Sequence, residues 1–85
     1  MAEQSRLIKK YPNRRLYDTR TSSYITLSDV KELVLKNEEF QVVDAKSGED
    51  ITRSILLQII LEEESGCMPM LTIDLLSHMI RFYGN

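Results

Sequence analysis

Between residues 14 and 26 the chain reads RRLYDTRTSSYIT, and this run constrains the fold more than any other feature. Extended stretches over residues 14–18 and 23–26 flank four polar residues, Thr19, Arg20, Thr21 and Ser22, a connection of hairpin length. Placing Tyr17 opposite Tyr24 puts Leu16 opposite Ile25, so each face of the ribbon carries a compatible cross-strand pair. A slip of one residue sends both pairs to the wrong faces. In this register Arg14, Leu16 and Asp18 lie on one side and Arg15, Tyr17 and Thr19 on the other. Unless the neighbouring Pro12-Asn13 turn twists the backbone, Arg14 and Arg15 point apart, one serving a local carboxylate such as Asp18 while the other faces out.

Upstream, residues 6–11 suit a short strand with Leu7, Lys9 and Tyr11 on one face and Ile8 and Lys10 on the other. Pro12 has no amide proton for a ladder and, with Asn13, signals a turn. Downstream, Thr26 stands three residues before Asp29, a capping-box spacing, and Ile25 and Val30 are placed as a hydrophobic staple. Leu27, Val30, Leu33 and Val34 form a stripe at helical spacing, and this first helix is expected to end near Asn37. Residues 40–44 (FQVVD) read as a further strand and residues 46–49 as a turn.

Thr52 signals a second helix, with Ile51 and Leu56 at staple positions. Its stripe of Ile55, Leu56, Ile59 and Ile60 is widened by Leu57 and Leu61 until it covers most of the circumference. Such a helix needs more than one partner, and a subunit interface is the expected second one. Glu62, Glu63 and Glu64 have the wrong sign for a helix C-terminus, which points to a solvated or basic-facing end. A break follows over residues 65–69, with Gly66 at a cap position. Thr72 then starts a third helix with Leu71 and Leu76 as its staple, an apolar face of Leu75, Met79, Ile80 and Tyr83, and Gly84 as its stop.

The expectation is an α+β fold: a small antiparallel sheet with a basic β-hairpin, packed by two to three helices. Residues 1–65 form the principal domain, and residues 66–85 supply a helix that opens a following segment and reads as truncated. The expected oligomer interface comprises Leu57, Leu61, Leu75, Met79, Ile80 and Tyr83. With 85 residues the core is necessarily modest, so self-association as a dimer or tetramer is a natural way to hide the remaining apolar surface.

Charge is sharply polarised along the chain. Residues 1–20 hold six basic side chains against two acids, a formal +4, whereas residues 21–85 hold five against eleven, a formal −6. A local basic field of this kind is what a polyanion feels. Enzyme chemistry has little to build on. His78 is the sole histidine, Cys67 the sole cysteine, and the three glycines are scattered, so no nucleophile–base pair, zinc-type ligand set or phosphate-cradling loop is suggested and no cofactor or metal is expected. No apolar run approaches the roughly 20 residues that span a bilayer, so a cytoplasmic protein without a membrane partner is expected.

The basic stretch therefore carries the functional reading, with neutralisation of acids on a neighbouring helix or subunit as the alternative. Arg14, Arg15 and Arg20 suit forked contacts to phosphates or guanine edges, and Lys9 and Lys10 suit point-charge contacts to a nucleic-acid backbone. Tyr11, Tyr17 and Tyr24 are either stacking surfaces or sheet residues with a wet hydroxyl; the sheet reading is favoured for Tyr17 and Tyr24. Asn13 either reads an adenine edge or makes the turn.

The runs IKKYPNRRLYDTRTSSYITLSDV and FQVVDAKSGEDITRSILLQIILEEES resemble the N-terminal domain of the bacterial polyhydroxyalkanoate synthesis repressor family. The KKYPNRRLYDT core is the most specific part, and residues 69–84, ending in IRFYG, resemble the opening of the accumulation-regulator segment that follows in that family. The resemblance implies a transcriptional repressor that binds double-stranded DNA upstream of granule-associated protein genes and of its own gene, and that nascent polyhydroxyalkanoate titrates off DNA at the granule surface. It places the DNA-binding segment on Lys9, Lys10, Tyr11, Asn13, Arg14, Arg15 and Tyr17, with Arg20 at its edge. Neither of the first two helices is basic enough for a major groove, so a sheet or hairpin reader fits the charges better. The competing class is a granule-surface or protein-interaction module that works through its apolar helices without specific DNA binding.

Overall fold

The computed structural model describes residues 6–84. Its elements are β1 (Arg6–Lys10), β2 (Leu16–Asp18), β3 (Ser23–Ile25), α1 (Leu27–Leu35), β4 (Phe40–Asp44), α2 (Thr52–Glu64) and α3 (Ile73–Tyr83). The strands form one sheet in the order β3-β2-β1-β4, and the fold is α+β. β2 and β3 pair antiparallel with Leu16 opposite Ile25 and Tyr17 opposite Tyr24, the register expected from the two compatible pairs.

Cross-strand partners share a face, so the ladders sort the strand side chains. Ile8, Leu16, Ile25, Phe40 and Val42 fall on one side, where Ile8, Leu16 and Val42 are buried together with Val30 and Leu33 of α1 and Ile55 of α2. Both helices therefore cover that face. The opposite face carries Leu7, Lys9, Tyr17, Tyr24, Gln41 and Val43 and has neither α1 nor α2 on it.

One pairing departs from the antiparallel expectation. β4 joins β1 in parallel, Ile8 opposite Val42, because β2, β3 and α1 together form the crossover that brings the chain back in the same direction. As an edge strand, β4 has its outer backbone groups taken by the next segment. The Thr52 hydroxyl accepts from the Val42 N–H at 2.8 Å, the Ile51 N–H donates to the Val42 carbonyl at 2.8 Å, and the Asp44 N–H donates to the Glu49 carbonyl at 2.8 Å. This is why Thr52 does not cap the second helix. Its hydroxyl is spent on β4, it stands as the first helical residue after Ile51 at the N-cap, and the Asp50 carboxylate accepts its N–H at 2.9 Å instead.

The other helix ends follow their local chemistry. Thr26 and Asp29 form a reciprocal capping box at the start of α1. At its far end Asn37 adopts φ 59°, with the Glu38 N–H on the Leu33 carbonyl and the Asn37 N–H on the Val34 carbonyl, a Schellman closure in which asparagine tolerates the left-handed position. Thr72 caps α3 by accepting the Leu75 N–H at 3.0 Å. Val34, assigned to the buried stripe of the first helix, is exposed, and the core face narrows to Leu27, Val30 and Leu33. The glutamates ending α2 are more engaged than a solvated tail: Glu63 pairs with Lys31 of α1 at 3.1 Å, and Glu64 accepts the Met70 and Leu71 N–H groups at 2.8 and 3.0 Å, tethering the link to α3.

Asp18 is the one buried charged side chain among the described residues. Its partner is neither Arg14 nor Arg15 but Arg6, whose Nε lies 3.5 Å from Asp18 Oδ2, an ion-pair separation without hydrogen-bond geometry. Asp18 Oδ1 accepts the Arg20 N–H at 3.0 Å, and Glu38 stands 3.8 Å from both Arg6 and Arg20. Removing one member of a buried pair strands the other charge. Asp18→Ala is therefore expected to lower unfolding free energy by about 3 kcal/mol in urea titration, and a loss below about 1 kcal/mol would show that Arg6 is compensated elsewhere. Thr26→Ala, which removes the capping box, is expected to lower it by about 1 kcal/mol, read in the same titration.

Candidate nucleic-acid interface

The turn over residues 11–15 decides where the basic side chains go. The Arg14 N–H donates to the Tyr11 carbonyl at 2.9 Å and the Tyr11 N–H donates to the Arg15 carbonyl at 2.8 Å, closing a three-residue hairpin loop of Pro12, Asn13 and Arg14. Pro12 supplies the fixed φ that suits the second position of a turn. Arg14 takes φ 67°, the left-handed position that such loops usually give to glycine. The strand alternation is interrupted there, and Arg14 and Arg15 line one cleft together with Tyr24, Thr26, Ser28 and Glu62. This twist of the backbone is the exception under which the two arginines need not point apart.

The remaining candidates distribute around the same end of the sheet. Val43, Lys9, Tyr17 and Tyr24 form a row across all four strands on the face away from α1 and α2. Arg15 reaches that row diagonally, and its guanidinium carbon sits 4.0 Å from the centre of the Tyr24 ring. The Tyr17 and Tyr24 rings meet edge to face, centroids 5.3 Å apart. Lys10 lies on the helix side and lines a second cavity with Arg14, Leu16, Ile55, Gln58 and Glu62, so Glu62 is the acid that faces the basic corner. Tyr11 contributes its backbone to the turn and keeps a half-buried ring, and Asn13 is exposed in the turn. Arg20 stands apart, in the loop at the opposite end of β2, engaged with Glu38.

Electrostatically the corner is distinct. Lys9, Lys10, Arg14 and Arg15 make no ion pair within 4 Å among the described residues, whereas Arg6, Arg20 and Lys31 do. The nearest strand carboxylate is already occupied. Asp44, the register partner of Lys10, accepts the Ser47 and Lys46 N–H groups at 3.0 and 2.8 Å, and these bonds, helped by the Lys10 and Lys46 charges, hold its carboxyl below the ordinary carboxylate range. Asp50 is likewise lowered, by its bonds from the Thr52 backbone and side chain. The corner thus presents four cations on a hairpin scaffold whose acids are turned inward or bonded.

The sequence favours Tyr24 as a sheet residue with a wet hydroxyl and does not pair it with Arg15; it stands on the side away from α1 and α2 and is 53% exposed. The signal was present in the predicted register, which sets Arg15 diagonal to Tyr24. The expected interface residues Leu57, Leu61, Leu75, Met79, Ile80 and Tyr83 are all exposed. No group of three or more His, Cys, Asp or Glu side chains comes together as a metal site among the described residues, and no helix among them is long and apolar enough to cross a membrane.

Comparison with known proteins gives these features a family. An uncharacterized protein of Allochromatium vinosum is 60% identical over 79 residues, which span 93% of this chain and 52% of that protein. An uncharacterized protein in the phbA 5′ region of Thiocystis violacea is 61% identical over 79 residues, spanning 93% of this chain and 57% of that protein. The chain thus covers little more than half the length of these relatives. No solved structure matches. The family model of the PHB/PHA accumulation regulator DNA-binding domain matches residues 7–66, from β1 to just past the end of α2 and so across the whole sheet and its basic corner, and the chain belongs to that family.

Proposed function

We propose that this DNA-binding domain is the sequence-specific part of a transcriptional repressor that controls polyhydroxyalkanoate synthesis and granule-associated protein genes, and that polymer releases it from DNA. The observation that carries the reading is the gathering around one hairpin turn of Lys9, Lys10, Arg14 and Arg15, none of them ion-paired within 4 Å among the described residues. Phosphate contacts from such a corner fix register on a duplex, and a planar guanidinium adds base readout. Tyr11, Asn13 and Tyr17 belong to the surface as scaffold and rim, and Arg20 contributes only at a distance from it.

The left-handed Arg14 supports the same reading. A side chain with a Cβ costs about 1 kcal/mol there, a cost more readily kept where the side chain serves a ligand. The Thiocystis violacea relative is named for its place in the phbA 5′ region, consistent with a role beside that gene.

Release by polymer requires that polymer favour a conformation or assembly that DNA does not. The exposed apolar side chains of α2 and α3, including Leu57, Leu61, Leu75, Met79, Ile80 and Tyr83, are the surface for self-association into a dimer or tetramer, and the same surface suits a polyhydroxyalkanoate granule. They also favour the second reading, a granule-surface or protein-interaction module without specific DNA binding. Under the first reading the protein works in the cytoplasm, shared between the nucleoid and the granule surface.

The two readings separate by fluorescence anisotropy on a labelled duplex from the protein's own upstream region, against an unrelated duplex. The repressor reading predicts preference for the first duplex, loss of that preference in Arg14→Ala/Arg15→Ala, and affinity that falls with a log–log salt slope of about −3 to −4 per protomer if all four cations meet phosphate. Equal, weak binding to both duplexes would overturn it. Arg14→Gly, which relieves the left-handed position, is expected to leave stability unchanged or raise it by up to about 1 kcal/mol while weakening DNA binding as Arg14→Ala does.

A further inference from the structure

Arg15 and Tyr24 are held together by the sheet rather than by chance contact of two surface side chains. Tyr24 is fixed opposite Tyr17 by the β2–β3 ladder, and the Tyr17 ring packs edge-on against it at 5.3 Å. Arg15 lies two residues before Tyr17 on the same strand side, so the Tyr24 ring is its diagonal cross-strand neighbour, a separation that long side chains bridge. The guanidinium carbon rests 4.0 Å from the ring centre, inside the range of cation–π attraction.

The guanidinium carbon stands over the π-face of Tyr24, and the N–H donors of arginine lie in the guanidinium plane, so those not directed at the ring remain available to a ligand. Among the described residues no carboxylate lies within 4 Å of Arg15 to occupy those donors. A fork held in this way is suited to a partner with two acceptors side by side in one plane. In duplex DNA the O6 and N7 atoms of guanine in the major groove have that arrangement. Arg14, by contrast, is held by its left-handed backbone, and no aromatic ring is stacked on it among the described residues. Its position beside the Lys10 ammonium suits a phosphate.

Resting on the DNA-binding reading above, we propose that Tyr24 is a positioning residue: it presents the Arg15 guanidinium as a pre-oriented fork for a guanine edge, so that Arg15 specifies a base while Arg14 and Lys10 hold backbone. Restricting the side chain before contact lowers the ordering cost of binding, which is where the gain arises.

The test is a double-mutant cycle on a duplex enriched from a random library by the wild-type chain, read by anisotropy, with the same duplex carrying 7-deazaguanine at each guanine in turn. Wild type is expected to lose affinity at one substituted guanine, and Arg15→Ala to weaken binding by between about fivefold and a hundredfold and to become indifferent to that substitution. Tyr24→Ala is expected to weaken binding by about two- to fivefold and to blunt the same discrimination. Tyr24→Phe should keep both, since the ring remains, and Arg15→Ala/Tyr24→Ala should bind no worse than Arg15→Ala alone.

Tyr24→Leu, which keeps bulk on the sheet without a π-face, guards against a folding artefact, and it should behave as Tyr24→Ala does. Additive losses in the cycle, or full discrimination in Tyr24→Leu, would overturn the positioning role and leave the DNA reading intact. An Arg15→Ala variant indistinguishable from wild type on an enriched duplex would likewise overturn the positioning role alone, whereas failure to enrich any duplex would overturn both.

Discussion

Pairing Leu16 with Ile25 and Tyr17 with Tyr24 commits the hairpin to two faces of opposite character. Once that register is set, Leu16 and Ile25 join Ile8 and Val42 beneath α1 and α2, and Tyr17, Tyr24 and Lys9 are left on the side that neither helix covers. A slip of one residue would bury a tyrosine row and expose the core, so the hydrophobic effect and the cross-strand pairs enforce the same choice. The face away from α1 and α2 is thus a by-product of core formation: both helices lie on the side of Ile8, Leu16 and Val42, and Tyr17, Tyr24 and Lys9 are set on the other.

Charge is organised on the same frame. The acids that outnumber bases in the rest of the chain do not neutralise the basic end wholesale. Asp18 and Glu38 take Arg6 and Arg20 at the end of β2 remote from the turn, Glu63 takes Lys31, Glu64 binds backbone amides, and Asp44 and Asp50 are satisfied by backbone and hydroxyl donors around the link from β4 to α2. What remains is a corner of four cations, of which Lys10, Arg14 and Arg15 share their clefts with Glu62. Such a corner stays net positive, which favours a polyanion.

Those parts of the fold that rest on neighbouring residues were legible in the amino-acid order. The capping box of Thr26 and Asp29, the hairpin register and the strand over residues 40–44 are local patterns, and each needs only a few positions to be read. Other features arise from contacts between distant segments. Nothing near Thr52 announces that its hydroxyl will serve Val42, and nothing near β4 announces a parallel partner. Arg6 reaches Asp18 only because β1 and β2 pair, and Ile8 is the register partner of Asp18. The left-handed turn at Arg14 is a subtler case. Pro12-Asn13 signals the turn, but an arginine gives no hint of positive φ, so the convergence of Arg14 and Arg15 on one cleft was foreseen only as the exception to an ideal strand. The KKYPNRRLYDT run, which carries the resemblance to the regulator family, comprises the end of β1, the turn and β2.

On this account the hairpin end of the sheet, and not the length of the helices, is the surface proposed to meet DNA. Titrating isotope-labelled chain with an enriched duplex and following backbone amide resonances tests it directly. The account predicts that the largest shifts fall on residues 9–17 and on Tyr24, with α2 changing little beyond Glu62. Shifts concentrated along α2 or α3, with residues 9–17 silent, would contradict it.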